Sequence, residues 1–314
     1  MYHCKSLTIA GAVCLIMFAG SSAGFAQSEP EKAPPQGLSG WSSVVRGGGV
    51  VQVDTDLDDG GSFNSTRLNI EGGSGYSWSR STAASLALSY SYDGYDFSAG
   101  GSGMAARDPW SDIHSLSISA PMRYGINQQW SAFLIPSVSS NGESGADFSD
   151  TVNGGALTGI SYRFGERLTI GPGFGVFGQI EESATVIPIL LINWKITDTI
   201  SLETGRGLAA TLGPGLTLKY RPSERWSFML GGRYEKLRFR LDSDGTVPGG
   251  VGEDRSFPLY GGCTYMVSPK ASFSFVAGVE FGGELKLENE SGERIAKETY
   301  DAAPILGLTF NIRI

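Results

Sequence analysis

Residues 124–134 read Tyr-Gly-Ile-Asn-Gln-Gln-Trp-Ser-Ala-Phe-Leu. An aromatic residue, a small one and an apolar one lead into three polar residues, and an alternating run follows. That is the grammar of a strand end, a tight turn and a strand start. Counting in twos from Tyr124, past the turn residue Gln128, gives Ile126, Trp130, Ala132 and Leu134. Alternate side chains share one face of a sheet, so one face stays apolar on both sides of the turn.

The same grammar recurs at Tyr76-Ser77-Trp78, Tyr162-Arg163-Phe164, Trp194-Lys195-Ile196, Tyr220-Arg221-Pro222 and Tyr265-Met266-Val267. The chain ends on a half-copy, Phe310-Asn311-Ile312-Arg313-Ile314. Parity is kept each time: Leu168 and Ile170 follow Phe164, Ile200 and Leu202 follow Ile196, and Phe273 and Phe275 follow Val267. The intervening positions are small and polar, as in Ser115, Ser117, Ser119 and Arg123, or Ser85, Ala87, Ser89 and Ser91.

A soluble β-sandwich also alternates. Three features favour lipid on the apolar face. The aromatic residues Tyr76, Trp78, Tyr124, Trp130, Tyr162, Trp194, Tyr220, Trp226, Tyr265 and Phe310 keep a constant distance from the short turns, as an interfacial girdle does. Short turns alternate with longer acidic or Gly-rich connections. The pattern also persists to the C-terminus, with no helical stretch to cover an apolar face.

The longer connections fall near Asp54–Gly61, Asp93–Pro109, Asn141–Asp150, Glu181–Ser183, Leu208–Leu212, Asp242–Asp254 and Glu288–Thr299. With six short turns between them and both termini on the short-turn side, the count is about fourteen strands of about ten residues each. Twelve is the alternative, because the Glu181 and Leu208 connections are short. An unpaired strand edge is untenable in hydrocarbon, where each free amide costs several kcal/mol. The last strand, Ala303–Ile314, must therefore pair with the first, Ser42–Val53. The expected fold is all-β: one closed antiparallel transmembrane barrel over residues 41–314, monomeric.

Ahead of the barrel, Lys5, the apolar run Leu7–Gly20 and the small residues Gly24 and Ala26 read as a signal peptide over 1–26, cleaved after Ala26. Residues 27–40, with the stretch EPEKAPPQGLSG, read as a flexible periplasmic lead-in. Beyond the leader Cys263 is the only cysteine, so no internal disulfide can form, and His114 is the only histidine. Without Lys5, 23 basic residues face 32 acidic ones, a net charge of −9. That balance argues against nucleic acid as a partner. One histidine rules out an imidazole-rich metal site. Asp54, Asp56, Asp58 and Asp59 suggest a calcium loop, but the sixth position is Asp59 instead of Gly and the twelfth Ser65 instead of Glu. No metal and no cofactor are expected.

The final residues, Leu306 to Ile314, resemble the C-terminal assembly signal of outer-membrane barrels, although that signal usually ends in Phe. The stretch from Leu168 to Leu202 resembles an uncharacterised, porin-like family of Gram-negative outer-membrane β-barrel proteins. The resemblance implies a location in the bacterial outer membrane. It also implies contact with its lipid and lipopolysaccharide, and delivery by the barrel-assembly machinery. It supplies no substrate and no catalytic residue.

If the apolar face meets lipid, Arg123, Arg163, Lys195, Lys219 and Arg221 line the lumen near the short turns as a basic ring. Such a ring biases the entry of anions, unless it is neutralised by lumen carboxylates such as Glu71, Glu203, Glu235 and Glu280. Lumen glycines, including Gly73, Gly159 and Gly262, either leave room for a bore or relieve barrel curvature. The expected function is passive or facilitated passage of small solutes. A structural or adhesive barrel is the alternative. An enzyme is the remaining class: its best candidate, His114, lies beside Asp112 and Ser115, but adjacent residues on a strand point to opposite faces and parity with Tyr124 turns His114 outward.

Overall fold

A computed structural model describes residues 39–101, 103–206 and 214–314, with backbone alone for 205, 206 and 214. The expected signal peptide, the expected lead-in as far as residue 38 and the expected Leu208–Leu212 connection lie outside the described residues.

Among the described residues, seventeen strand segments form fourteen transmembrane strands, three of them broken in two. In chain order the segments are β1 (Gly40–Asp56), β2 (Ser62–Ser77), β3 (Ala83–Ser98), β4 (Asp112–Ser119), β5 (Met122–Gly125), β6 (Trp130–Glu143), β7 (Val152–Phe164), β8 (Leu168–Gln179) and β9 (Glu182–Lys195). There follow β10 (Ile200–Arg206), β11 (Pro214–Tyr220), β12 (Trp226–Arg233), β13 (Glu235–Arg240), β14 (Val251–Ser268), β15 (Ala271–Glu288), β16 (Arg294–Tyr300) and β17 (Ala303–Arg313). Neighbours pair antiparallel around the barrel, and β17 closes it on β1 from Val44↔Arg313 to Gln52↔Ile305. The ring therefore has no free edge there, as hydrocarbon demands.

The outward face carries the expected belt: Leu68, Ile70, Leu86, Leu88, Leu134, Val186, Leu230 and Leu308 are all exposed. Aromatic side chains group beside the short turns. Trp130 lies edge-on to Tyr162 at 4.9 Å, Trp226 stands 4.9 Å from Tyr265, and Tyr76 bridges Trp41 and Trp78 at 5.5 and 5.3 Å. From Tyr265 the outward series on β14 runs up to Phe257, about 27 Å of strand at 3.4 Å per residue, which a barrel tilt lowers to membrane depth. Tyr90, Tyr92, Phe257 and Phe281 mark the far rim of this belt. The architecture is that of a bacterial outer-membrane barrel, with short turns on the periplasmic side. Leu134, 42 % exposed and midway up the belt, gives a direct test. Leu134→Arg is expected to destabilise the barrel by about 2–4 kcal/mol in urea titrations in lipid vesicles.

Several strands are longer than a membrane needs, and the connections are correspondingly shorter than the sequence suggested. β1 runs to Asp56, β3 to Ser98, and β14 starts at Val251, while Ile180 and Glu181 alone separate β8 from β9. The overhanging ends do not continue the fourteen-strand circle. Beyond Arg233 the wall breaks: Gly231 and Gly232 flex it, and Pro258 opposite has no amide to donate. β13 then leans across the barrel and meets β6 in a parallel bridge, Arg240↔Gly142. The Asp242 amide donates to Glu143 at 3.0 Å beside it. This shortcut leaves β7 to β11 outside a narrower upper tier.

Candidate functional site

The lumen of the membrane tier is ordered in rows, because antiparallel register aligns inward positions from strand to strand. One row is Ile135, Leu157, Gly175, Ile187; the next row toward the short turns is Phe133, Gly159, Gly173, Ile189. The expected small and polar inner face is therefore corrected on this wall: β6 to β9 carry an apolar panel. Its glycines are what make it thin. A Cβ at Gly175 would lie 2.3 Å from the Phe177 ring, and one at Gly159 would lie 2.7 Å from the Phe133 ring. The large side chains Phe133 and Phe177 lie over glycine backbone.

Below the panel the rows turn polar. Arg163, Thr169, Asn193, Glu203 and Thr217 are in register. One step further, Lys195, Ser201 and Lys219 align. Four of the five residues expected in the basic ring thus sit on inward positions near the short turns: Arg123 on β5, Arg163 on β7, Lys195 on β9 and Lys219 on β11. Arg221 lies just beyond β11, its amide donating to the Thr199 carbonyl at 2.8 Å. The ring is partly neutralised. Lys219 is 2.7 Å from Glu203, and Arg123 donates to the Arg80 carbonyl. Among the described residues neither Arg163 nor Lys195 has a carboxylate within 4.0 Å. Of the other expected carboxylates, Glu71 pairs with Arg46, and Glu235 and Glu280 serve the far end of the lumen.

At that far end a buried charged layer spans the barrel. Arg67 on β2 meets Glu280 on β15, Glu235 on β13 at 3.3 Å and Asp254 on β14 at 3.6 Å. The Tyr95 and Tyr300 hydroxyls donate to Asp254 at 2.8 and 3.1 Å. Above it the upper tier is filled with apolar side chains, among them Phe63, Tyr95, Trp110, Ile113, Phe239, Leu285 and Tyr300. Leu285 and Leu287 point inward only because Gly282, at φ +59°, inserts a bulge that flips the parity of β15.

The outer face of β13 is tied to its surroundings by ions. Arg238 donates to the Ile180 carbonyl at 2.7 Å and pairs with Glu253 at 3.2 Å; Arg240 pairs with Glu181. Glu253, four residues beyond Phe257, stands clear of the membrane and also meets Lys286 at 2.8 Å and Lys236 at 3.0 Å. Burial alone would push its carboxyl up; Lys286 and Lys236 outweigh burial and hold it at about 2, against an ordinary 4.5. A carboxylate lowered this way stabilises the fold fully above its ordinary pKa and loses that contribution as pH falls from there toward about 2. Amide exchange in β13, corrected for intrinsic rates, is therefore expected to be flat from about pH 7 to 5 and to accelerate below about 4.5.

His114 faces outward at the upper rim, 2.7 Å from the Tyr90 hydroxyl and 3.0 Å from that of Ser144. Asp58 accepts from Thr299, and the Asp59 amide donates to Glu298 at 2.8 Å, so this acidic turn is held by protein partners. Sequence reasoning missed the apolar panel and the buried charge layer. The available signals were the inward bulky residues of β6 to β9 and the odd-numbered Phe63, Tyr95 and Phe97.

No family model matches the chain, and no curated protein matches it by sequence. Solved structures resemble it in architecture. An outer membrane channel from Pseudomonas putida F1 is 10 % identical over 92 % of this chain and 100 % of its own, with a TM-score of 0.49. A FadL homologue from Pseudomonas aeruginosa is 12 % identical over 87 % of this chain and 90 % of its own, with a TM-score of 0.47. The toluene transporter TodX of Pseudomonas putida is 9 % identical over 90 % of this chain and 91 % of its own, with a TM-score of 0.42. At that level of likeness, function is left to this chain's own geometry.

Proposed function

We propose that this barrel is a channel for passive or facilitated passage of small solutes across the outer membrane. The observation that carries the reading is the closed fourteen-strand wall of the membrane tier, wider than the eight-stranded barrels that side chains alone fill. The basic ring near the periplasmic mouth supports a bias toward anions, with Arg163 and Lys195 as its unneutralised members. Passage depends on the upper tier, where the segment from Glu235 to Ser256 leaves the circle and covers the bore. Conductance of the refolded protein in planar bilayers tests the reading, and a KCl gradient gives the ion preference. A reversal potential of the cation-selective sign would end the anion bias.

The filled upper tier favours a second reading, a structural or surface-interaction barrel without transport. Liposome swelling separates the two: no flux of any small sugar or amino acid leaves the structural reading standing. Catalysis is the least supported class, because His114 stands on the lipid-side rim. His114→Ala with unchanged lipid and peptide hydrolysis would remove that site.

A further inference from the structure

The charged layer under the upper tier holds more carboxylates than its cations can match. Arg67 reaches Glu280, Glu235 and Asp254, and Arg233 pairs with Glu235. A fourth carboxylate, Asp93 on β3, stands opposite Arg67 in register and is 9 % exposed. The Arg67 guanidinium reaches instead to Gln52 on β1 and to Glu280 on β15. Asp93 is left without an ion pair or hydrogen bond among the described residues. From β4 it meets Ile113, which is apolar. Tyr95 and Tyr300 give their hydroxyl protons to Asp254 and add no charge. With every carboxyl ionised, Asp93, Glu235, Asp254 and Glu280 against Arg67 and Arg233 leave the layer at −4 + 2 = −2. Like charges at low dielectric are relieved when one carboxyl keeps a proton. Asp93 is the member with no donor to hold its charge.

We infer that Asp93 is a proton switch: the upper tier is held shut while Asp93 is protonated and loosens when it ionises. This adds regulation to the channel reading, and only its effect on passage rests on that reading. Asp93 lies one residue above Tyr92, which marks the rim of the belt on β3. Burial pushes its carboxyl up from 3.8 to about 7; Arg67 opposes the rise, and Glu235, Asp254 and Glu280 add to it. A group raised this way stabilises the fold fully below its ordinary pKa and loses that contribution as pH climbs to about 7.

The reporter is the Trp110 indole N–H. Trp110 is 2 % exposed, its N–H has no acceptor among the described residues, and its ring packs against Phe239. Its exchange reports water entering the tier, whereas β13 amides also open at the Arg238 seam. The full mature chain is measured in lipid nanodiscs, with intrinsic rates corrected. Indole protection is expected to fall about fiftyfold from about pH 5 to 7 and to level off above about 8. Asp93→Asn, a neutral isostere, should keep the heat-modifiable mobility of a folded barrel and fall about tenfold less. Carboxyl carbon-13 shifts, with Asp93 identified by its loss in Asp93→Asn, should titrate with a midpoint of about 7. Equal falls in the two proteins, or a midpoint below about 5, would overturn the inference. KCl conductance with equal falls removes the switch alone, and the pH-dependent protection without conductance removes the channel alone.

Discussion

Arg67→Leu is expected to cost about 3–5 kcal/mol of upper-tier stability, the usual result of stranding buried charge. The Arg67 side chain is 8 % exposed, and the Glu280, Asp254 and Glu235 carboxylates around it are 0, 6 and 16 % exposed. Arg67 also donates to Gln52 at 3.2 Å, so one guanidinium organises four side chains from four strands. Removing it leaves three carboxylates facing one another at low local dielectric; Arg233, paired with Glu235, reaches only one of them. Urea titrations read by amide exchange in β13 to β15 give the number. Arg67→Lys should lose less, because charge survives and the bidentate geometry does not. A loss below about 1 kcal/mol for Arg67→Leu would mean that the layer is solvated and not a buried network.

Phe239→Ala is expected to be as damaging, about 3–5 kcal/mol, and to open the barrel. Phe239 is fully buried, and its ring stands 5.3 Å from Trp110 in an edge-on contact. Gly252 beneath it leaves no room for a replacement: a Cβ there would lie 2.3 Å from the ring. This packing holds β13 against β6, where a single bridge closes the tier. Truncation leaves a cavity at that seam, so faster exchange in β13 and raised single-channel conductance should appear together. Faster exchange at unchanged conductance would place the closure below the apolar fill, in the Arg67 layer.

The membrane tier was legible because lipid imposes a local rule. Every strand must show apolar residues at alternate positions between two rims, so Tyr124, Ile126, Trp130 and Leu134 betray their face without any partner being known. The short turns gave the strand count, and closure followed from the cost of a free edge. Trp78, Tyr124, Trp130, Trp194, Tyr220, Trp226 and Tyr265 are exposed beside the short turns.

The same rule fails for Leu285 and Leu287. In sequence they continue the odd-numbered series Phe273, Phe275, Phe281 and read as lipid-facing. One extra residue at Gly282 turns them into the core of the upper tier. Alternation reports only which residues share a face, and a bulge reverses which face that is.

What the chain's pattern determined by itself was a closed antiparallel barrel of about fourteen strands with an apolar face turned to lipid. Only the tertiary structure decided that β13 crosses to β6, that Arg67 gathers three carboxylates, and that bulky side chains lie over lumen glycines. Those facts depend on pairs of residues up to 213 positions apart, such as Arg67 and Glu280, and on how far each strand leans. Periodicity is a property of neighbours along the chain; contact across a lumen depends on the curvature and register of the whole wall.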